Sequence, residues 1–262
     1  MSRVDREPLQ HSGLFFDSAN LELLEKWYKT GTLGGATTNP VILRKDNITN
    51  IPQHIQKMVE ITGPGFPISI EIPDSRWEKE QMISMALWYR DRFRDNAVIK
   101  VPMDPSNSSK AFEVMHALAA EGVRLNATLG LSSGQLIAAS EAMRNSKADG
   151  DNYVSLFWAR REEAQKQMKT DNEGVQIPGA AETLVITLKY LETHSLATRI
   201  IVGSIRNPQQ IEMAFNSGAD IVTIPPALLE EWMKTQRGAE TAKEFNDAYL
   251  SVEKEIILTE ND

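Results

Sequence analysis

Ala97-Val98-Ile99-Lys100-Val101 is a β-branched run of strand length with one lysine set into it. Successive side chains of a strand face opposite sides, so Ile99 and Val101 share one face and Lys100 takes the other. The same grammar recurs upstream in Ile68-Ser69-Ile70-Glu71-Ile72, where three isoleucines alternate with Ser69 and Glu71. Six further runs have comparable length: LFFDS from Leu14, GATTN from Gly35, RLNATL from Arg124, YVSLF from Tyr153, RIIVGS from Arg199 and DIVTI from Asp220. Between them lie segments of helical length and periodicity, among them Leu21 to Thr30, Ser75 to Phe93, Ser106 to Glu121 and Asn207 to Ser217, with Ser75 and Asn207 as candidate caps. Eight strand-helix units in one chain are the content of an α/β (β/α)8 TIM barrel, whereas a doubly wound sheet usually stops at about five to seven strands.

At roughly 150 residues per domain, 262 residues leave one domain or two open. No Pro/Gly/Ser-rich linker interrupts the series, so residues 1–262 are expected to form one barrel domain, with 227–262 as a C-terminal helical extension. Hydrophobic residues at 41% and charged residues at 24% fit a folded, soluble chain. Twenty-eight basic against 36 acidic residues give a net charge of -8, which argues against nucleic-acid or anionic-membrane partners. No run of about 18 apolar residues occurs, and the N-terminus carries acids and no apolar leader core, so a cytoplasmic location is the simplest expectation. The absence of cysteine removes disulfides, thiolate metal sites and thiol nucleophiles. His11, His54, His116 and His194 lack metal-ligand spacing, and no metal or other cofactor is expected.

The polar residues share one phase. Ser69, Glu71 and Lys100 oppose their isoleucine neighbours; Asn126 and Thr128 oppose Leu125, Ala127 and Leu129; Asp17 alternates with Phe16; Ser204 opposes Gly203. Barrel interiors are normally filled by Val, Ile and Leu, so this inward polarity near the carboxyl ends of strands points to a catalytic pocket at that mouth. A hydrogen-bonded polar plug would account for the asparagines and serines but poorly for an enclosed lysine. Burial disfavours the charged form of an amine, and the neutral amine is what imine formation with a carbonyl requires. Asp17 and Glu71 are then candidate proton-transfer groups, and Thr128 can hold a relay water. Arg160, just past the sixth strand, and Arg206, just past the seventh, could clamp an anionic substrate beside Ser204 and a helix opening at Asn207 or Pro208.

Two segments exceed a minimal barrel. Residues 159–177 form a long charged connection, which reads equally as a lid or as a solvated surface helix. Phe245, Tyr249, Val252 and Ile256 form an apolar helical stripe, expected to cover the chain's own barrel, with a homo-oligomer contact as the alternative.

In chain order, FFDSAN, GGATTNP, SIEI, VIKVP, LNATL, VSLF-x-x-R, GSIRNP and GADIVTIPP resemble the strand motifs of the transaldolase family, including its fructose-6-phosphate aldolase branch. The resemblance covers nearly the whole barrel. It implies a Schiff-base transferase of carbohydrate metabolism, as in the pentose phosphate pathway, that moves a dihydroxyacetone unit from a ketose phosphate to an aldehyde. Lys100 would form the imine, Asp17 would act as acid and base, and Glu71 with Thr128 would hold the catalytic water. Asn39, Ser69, Asn126 and Ser155 would bind donor hydroxyls, with Arg160, Ser204 and Arg206 at the phosphate. Glu71 and Phe157 resemble true transaldolases, where the aldolase branch has glutamine and tyrosine. The usual SPFVGR reads here as Ser155-Leu156-Phe157-Trp158-Ala159-Arg160, so Trp158 and Arg161 are candidates for reshaping the anion end, and a sulfonated or otherwise modified sugar stays open as substrate. A lyase without a sugar acceptor and a non-catalytic sugar-phosphate binder are the rival readings.

Overall fold

The computed structural model describes residues 9–171 and 177–252. Eight parallel strands close in sequence order into a barrel: β1 Leu14–Asp17, β2 Gly35–Thr37, β3 Ile68–Glu71, β4 Ala97–Pro102, β5 Leu125–Gly130, β6 Tyr153–Phe157, β7 Arg199–Gly203 and β8 Ile221–Ile224. All eight coincide with the runs read from the sequence. The connecting helices are α1 Leu21–Tyr28, α2 Pro40–Lys45, α3 Ile51–Thr62, α4 Lys79–Phe93, α5 Ser108–Ala120, α6 Ser133–Ala142, α7 Trp158–Asp171, α8 Ala180–Thr193 and α9 Pro208–Asn216. Beyond β8 follow α10 Pro226–Met233 and α11 Gln236–Val252.

The alternation along each strand builds two cores. Outward residues such as Phe16, Ile68, Ile70, Ile99, Val101, Leu125 and Val154 pack against the helices. Inward residues of the lower strand halves, Phe15, Val98, Tyr153, Ile201 and Ile221, form a separate cluster on the barrel axis. Burying each such side chain contributes about 1.5–3 kcal/mol. β2 accommodates the Phe15 ring only because Gly35 has no side chain, since a Cβ there would lie 2.4 Å from Phe15 Cζ. Above this layer the inward positions turn polar.

Helix entry follows local capping chemistry. Asn207 Oδ1 accepts from Gln210 N at 3.0 Å and Pro208 opens α9, as expected from the sequence. Ser75 does not cap α4. A box formed by Glu78 and Gln81 starts that helix four residues later, and the Ser75 hydroxyl donates instead to Asp104 at 2.9 Å. The long connection after β6 is helical through α7. Its Trp158 and Ala159 are buried, while Arg160 is exposed.

At its two described side chains, Phe245 and Tyr249, the C-terminal stripe does not cover its own barrel. Phe245, Tyr249 and Leu250 stand exposed at 70%, 48% and 63%, and Ile256 lies outside the described residues. Among the described residues, no helix is long and apolar enough to cross a membrane.

Candidate active site

The carboxyl ends of the strands enclose a cavity of about 370 Å³ whose lining includes Asp17, Glu71, Lys100, Ser155, Phe157 and Arg160. Lys100 is 4% exposed and anchors the floor. Its Nζ donates to the Thr38 carbonyl at 2.9 Å and lies 3.1 Å from Glu71 Oε2. The register explains the pair: β3 and β4 align Glu71 directly beside Lys100.

Asp17, at the end of β1, sits beside Thr37 of β2, whose hydroxyl donates to Asp17 Oδ1 at 2.7 Å. Burial pushes the Asp17 carboxyl above its ordinary pKa, an effect opposed by the Thr37 hydrogen bond and, less strongly, by the Lys100 charge. A carboxyl held nearer to its protonated form beside an amine is suited to moving protons in both directions.

The segment Thr37-Thr38-Asn39-Pro40 places four functions in four residues. Thr37 binds Asp17, and the Thr38 carbonyl binds Lys100. Asn39 lines the cavity and caps α2 by accepting from Ile42 N at 2.9 Å, and Pro40 opens that helix.

Beneath the floor, Ser155 Oγ donates to Asn126 Oδ1 at 2.7 Å, and Asn126 Nδ2 donates to Ser69 Oγ at 3.1 Å. Of these three, only Ser155 lines the cavity. Thr128, expected to hold a relay water, is fully buried and does not line the cavity, and its hydroxyl has no hydrogen-bond partner.

Strand phase alone misplaces two positions. Leu129, expected to point outward, lines the cavity, because β5 shifts register against β6 between Ala127 and Gly130 and Leu129 adopts a left-handed φ of 66°. At the end of β7, Gly203 belongs to the inward phase, and Ser204 also reaches the cavity because its φ of 58° turns the chain.

The anion end also differs from expectation. Arg160 and Ser204 line the cavity; Arg206 does not, and its exposed guanidinium pairs with Glu163 on α7. Trp158 is fully buried, and its Nε1 donates to Glu162 at 2.9 Å. Arg161 is 8% exposed, and its Nε has no partner. Neither Trp158 nor Arg161 lines the cavity.

The sequence reading did not single out Thr37 or Thr223, although both line the cavity. The alternation that selects Lys100 selects them too, since Thr37 alternates with Ala36 and Thr38, and Thr223 with Val222 and Ile224. Among the described residues, no group of three or more His, Cys, Asp or Glu could hold a metal ion.

Residues 14–261 match the family model described as transaldolase/fructose-6-phosphate aldolase. The chain belongs to the transaldolase/fructose-6-phosphate aldolase family. A protein named "Probable transaldolase" from Exiguobacterium sibiricum is 31% identical over 216 residues, covering 82% of this chain and 87% of the relative. One of the same name from Symbiobacterium thermophilum is 31% identical over 221 residues, covering 84% and 89%. Solved structures show the fold alone. A protein assigned to the dihydrodipicolinate synthase family from Coccidioides immitis aligns with a TM-score of 0.55 at 12% identity, covering 84% of this chain and 68% of that one. A protein assigned as a phosphonomutase from Burkholderia cenocepacia gives 0.51 at 11% identity, covering 92% and 94%. Within the transaldolase/aldolase family, the lysine, carboxylates and cavity described above form the enzyme's candidate catalytic centre.

Proposed function

We propose that this enzyme is a transaldolase that carries a dihydroxyacetone unit on Lys100 from a ketose phosphate to an aldehyde. The observation that carries the reading is the buried Lys100 amine, 3.1 Å from Glu71 and in one cavity with Asp17. The amine adds to the ketose carbonyl, and water leaves as the imine forms, with Glu71, which lines the cavity, handling that water. Asp17 then takes the proton of the hydroxyl on the far carbon of the bond to be broken, the carbon that becomes the aldehyde. That bond's electron pair flows into the protonated imine, leaving an enamine and a free aldehyde. An incoming aldehyde reverses the step, with Asp17 returning the proton. Ser155 and Asn39 contact donor hydroxyls, and the chain from Ser155 through Asn126 to Ser69 holds the Ser155 hydroxyl in orientation. Phe157 supplies an apolar wall.

Incubation with fructose 6-phosphate and borohydride is expected to leave a three-carbon adduct on Lys100, read by peptide mass spectrometry. No adduct at Lys100 across a panel of ketose phosphates sinks the proposal. Release of free dihydroxyacetone at a rate comparable with transfer reassigns the enzyme to the lyase branch.

One observation supports a modified substrate as a second reading. Among the described residues Arg160 is the one arginine in the cavity lining, while Arg206 is held by Glu163, so a singly charged sulfonate suits the site as well as a phosphate. A kcat/KM for a ketose sulfonate above that for the matching phosphate would establish it.

We further infer a homo-oligomer, with a second copy covering the exposed Phe245, Tyr249 and Leu250 of α11.

A further inference from the structure

Thr223 on β8, the strand paired with β1, is 5% exposed, and its hydroxyl lies 2.5 Å from Thr37 Oγ1, one hydroxyl away from the proton-transfer carboxylate. Its methyl occupies the space that Gly203 leaves free, since a Cβ there would lie only 3.1 Å from Thr223 Cγ2. Thr37 has a single hydroxyl hydrogen, and that hydrogen is engaged by Asp17 Oδ1 at 2.7 Å. The short contact between the two threonines is therefore filled by the hydrogen of Thr223.

We propose that Thr223 is a positioning residue for Asp17: by donating to Thr37 it commits the Thr37 hydrogen to Asp17 Oδ1 and leaves Oδ2 to exchange protons with the substrate. When Oδ2 takes up a proton, Oδ1 still accepts from Thr37 and Thr37 still accepts from Thr223, so the chain holds the carboxyl in one orientation through both protonation states. Consecutive hydrogen bonds reinforce one another, which is why a hydroxyl that never touches Asp17 can act on it.

The inference rests on Asp17 as the group that moves protons, and a readout independent of turnover separates the two. The carboxyl carbon of Asp17 is titrated by NMR in the parent, Thr223→Val and Thr223→Ser. The charged groups sharing the cavity are Lys100 on β4, Glu71 on β3 and Arg160 at the start of α7, and all three are unchanged in these variants. Valine keeps the shape and removes the hydrogen, so the Asp17 midpoint is expected to rise by roughly half to one pH unit, the size of one weakened hydrogen bond. Serine restores it. In parallel, kcat of Thr223→Val falls about tenfold with KM within about twofold, and the acidic limb of its pH profile moves with the NMR midpoint. Should Thr223→Val not fold, Thr223→Ala takes its place. A midpoint the same in the parent and the hydroxyl-free variant overturns the role of Thr223. A shifted midpoint with an unshifted rate profile upholds the hydrogen-bond chain and rejects Asp17 as the proton-transfer group.

Discussion

The pairing of Lys100 with Glu71 makes each the other's main electrostatic support, since both side chains are largely withdrawn from water, at 5% and 13% exposure. Lys100→Met leaves the Glu71 carboxylate without its counter-charge, and removing one member of such a pair costs about 3 kcal/mol. Adding Glu71→Gln is expected to recover most of that loss, a cycle measured by urea denaturation. Asp17 has the opposite economy, because burial outweighs its favourable contacts and its folded-state pKa lies above the ordinary value. Its stability contribution is full below the unfolded pKa and is lost as pH rises through the raised folded value. Asp17→Asn should therefore melt above the parent at neutral pH, and the gap should close on acidification, as followed by thermal denaturation from about pH 8 to about pH 4. The same variant should lose turnover by about 10²–10⁴-fold, a trade of stability for function located in one carboxyl.

At the scale of elements, the strands were legible because their period of two is strict wherever one face packs on helices and the other fills a barrel. Where that condition lapses, so does legibility. Leu129 is turned by a register shift that depends on how β5 meets β6, and no residue in LNATL announces it. Ser204 and Arg206 lie past the last paired residue of β7, where phase no longer applies. Ser75 is a good capping residue, but a tertiary partner, Asp104, engages its hydroxyl and the box at Glu78 and Gln81 starts the helix. The left-handed backbone at Leu129 gives a direct check. Leu129→Asn should fold with stability within about 1 kcal/mol of the parent, whereas Leu129→Val, β-branched at a positive φ, should lose about 1–2 kcal/mol. At the base of β2, Gly35→Ala forces a Cβ into the Phe15 ring, and such overpacking costs about 1–3 kcal/mol. Adding Phe15→Leu should return part of it, again by urea denaturation.

For the molecule as a whole, α11 extends the apolar surface of the chain, a fate its sequence stripe left undecided because an amphipathic helix carries no sign of which body it will meet. Light scattering is expected to give a mass above the 29.3 kDa of one chain, and truncation before Gln236 should lower it. A monomeric parent would leave the exposed Phe245, Tyr249 and Leu250 without that explanation. The Phe15, Val98, Tyr153, Ile201 and Ile221 layer has a kinetic meaning as well as a structural one. It stops the barrel as a cork stops a tube, so among the described residues the cavity is closed beneath and opens at the carboxyl ends of the strands. If the proposed transfer holds, the first aldehyde vacates before the second is admitted, and double-reciprocal plots are expected to run parallel, with competition between departing product and arriving acceptor; intersecting plots would count against it. Traffic through that mouth would then set the order of events.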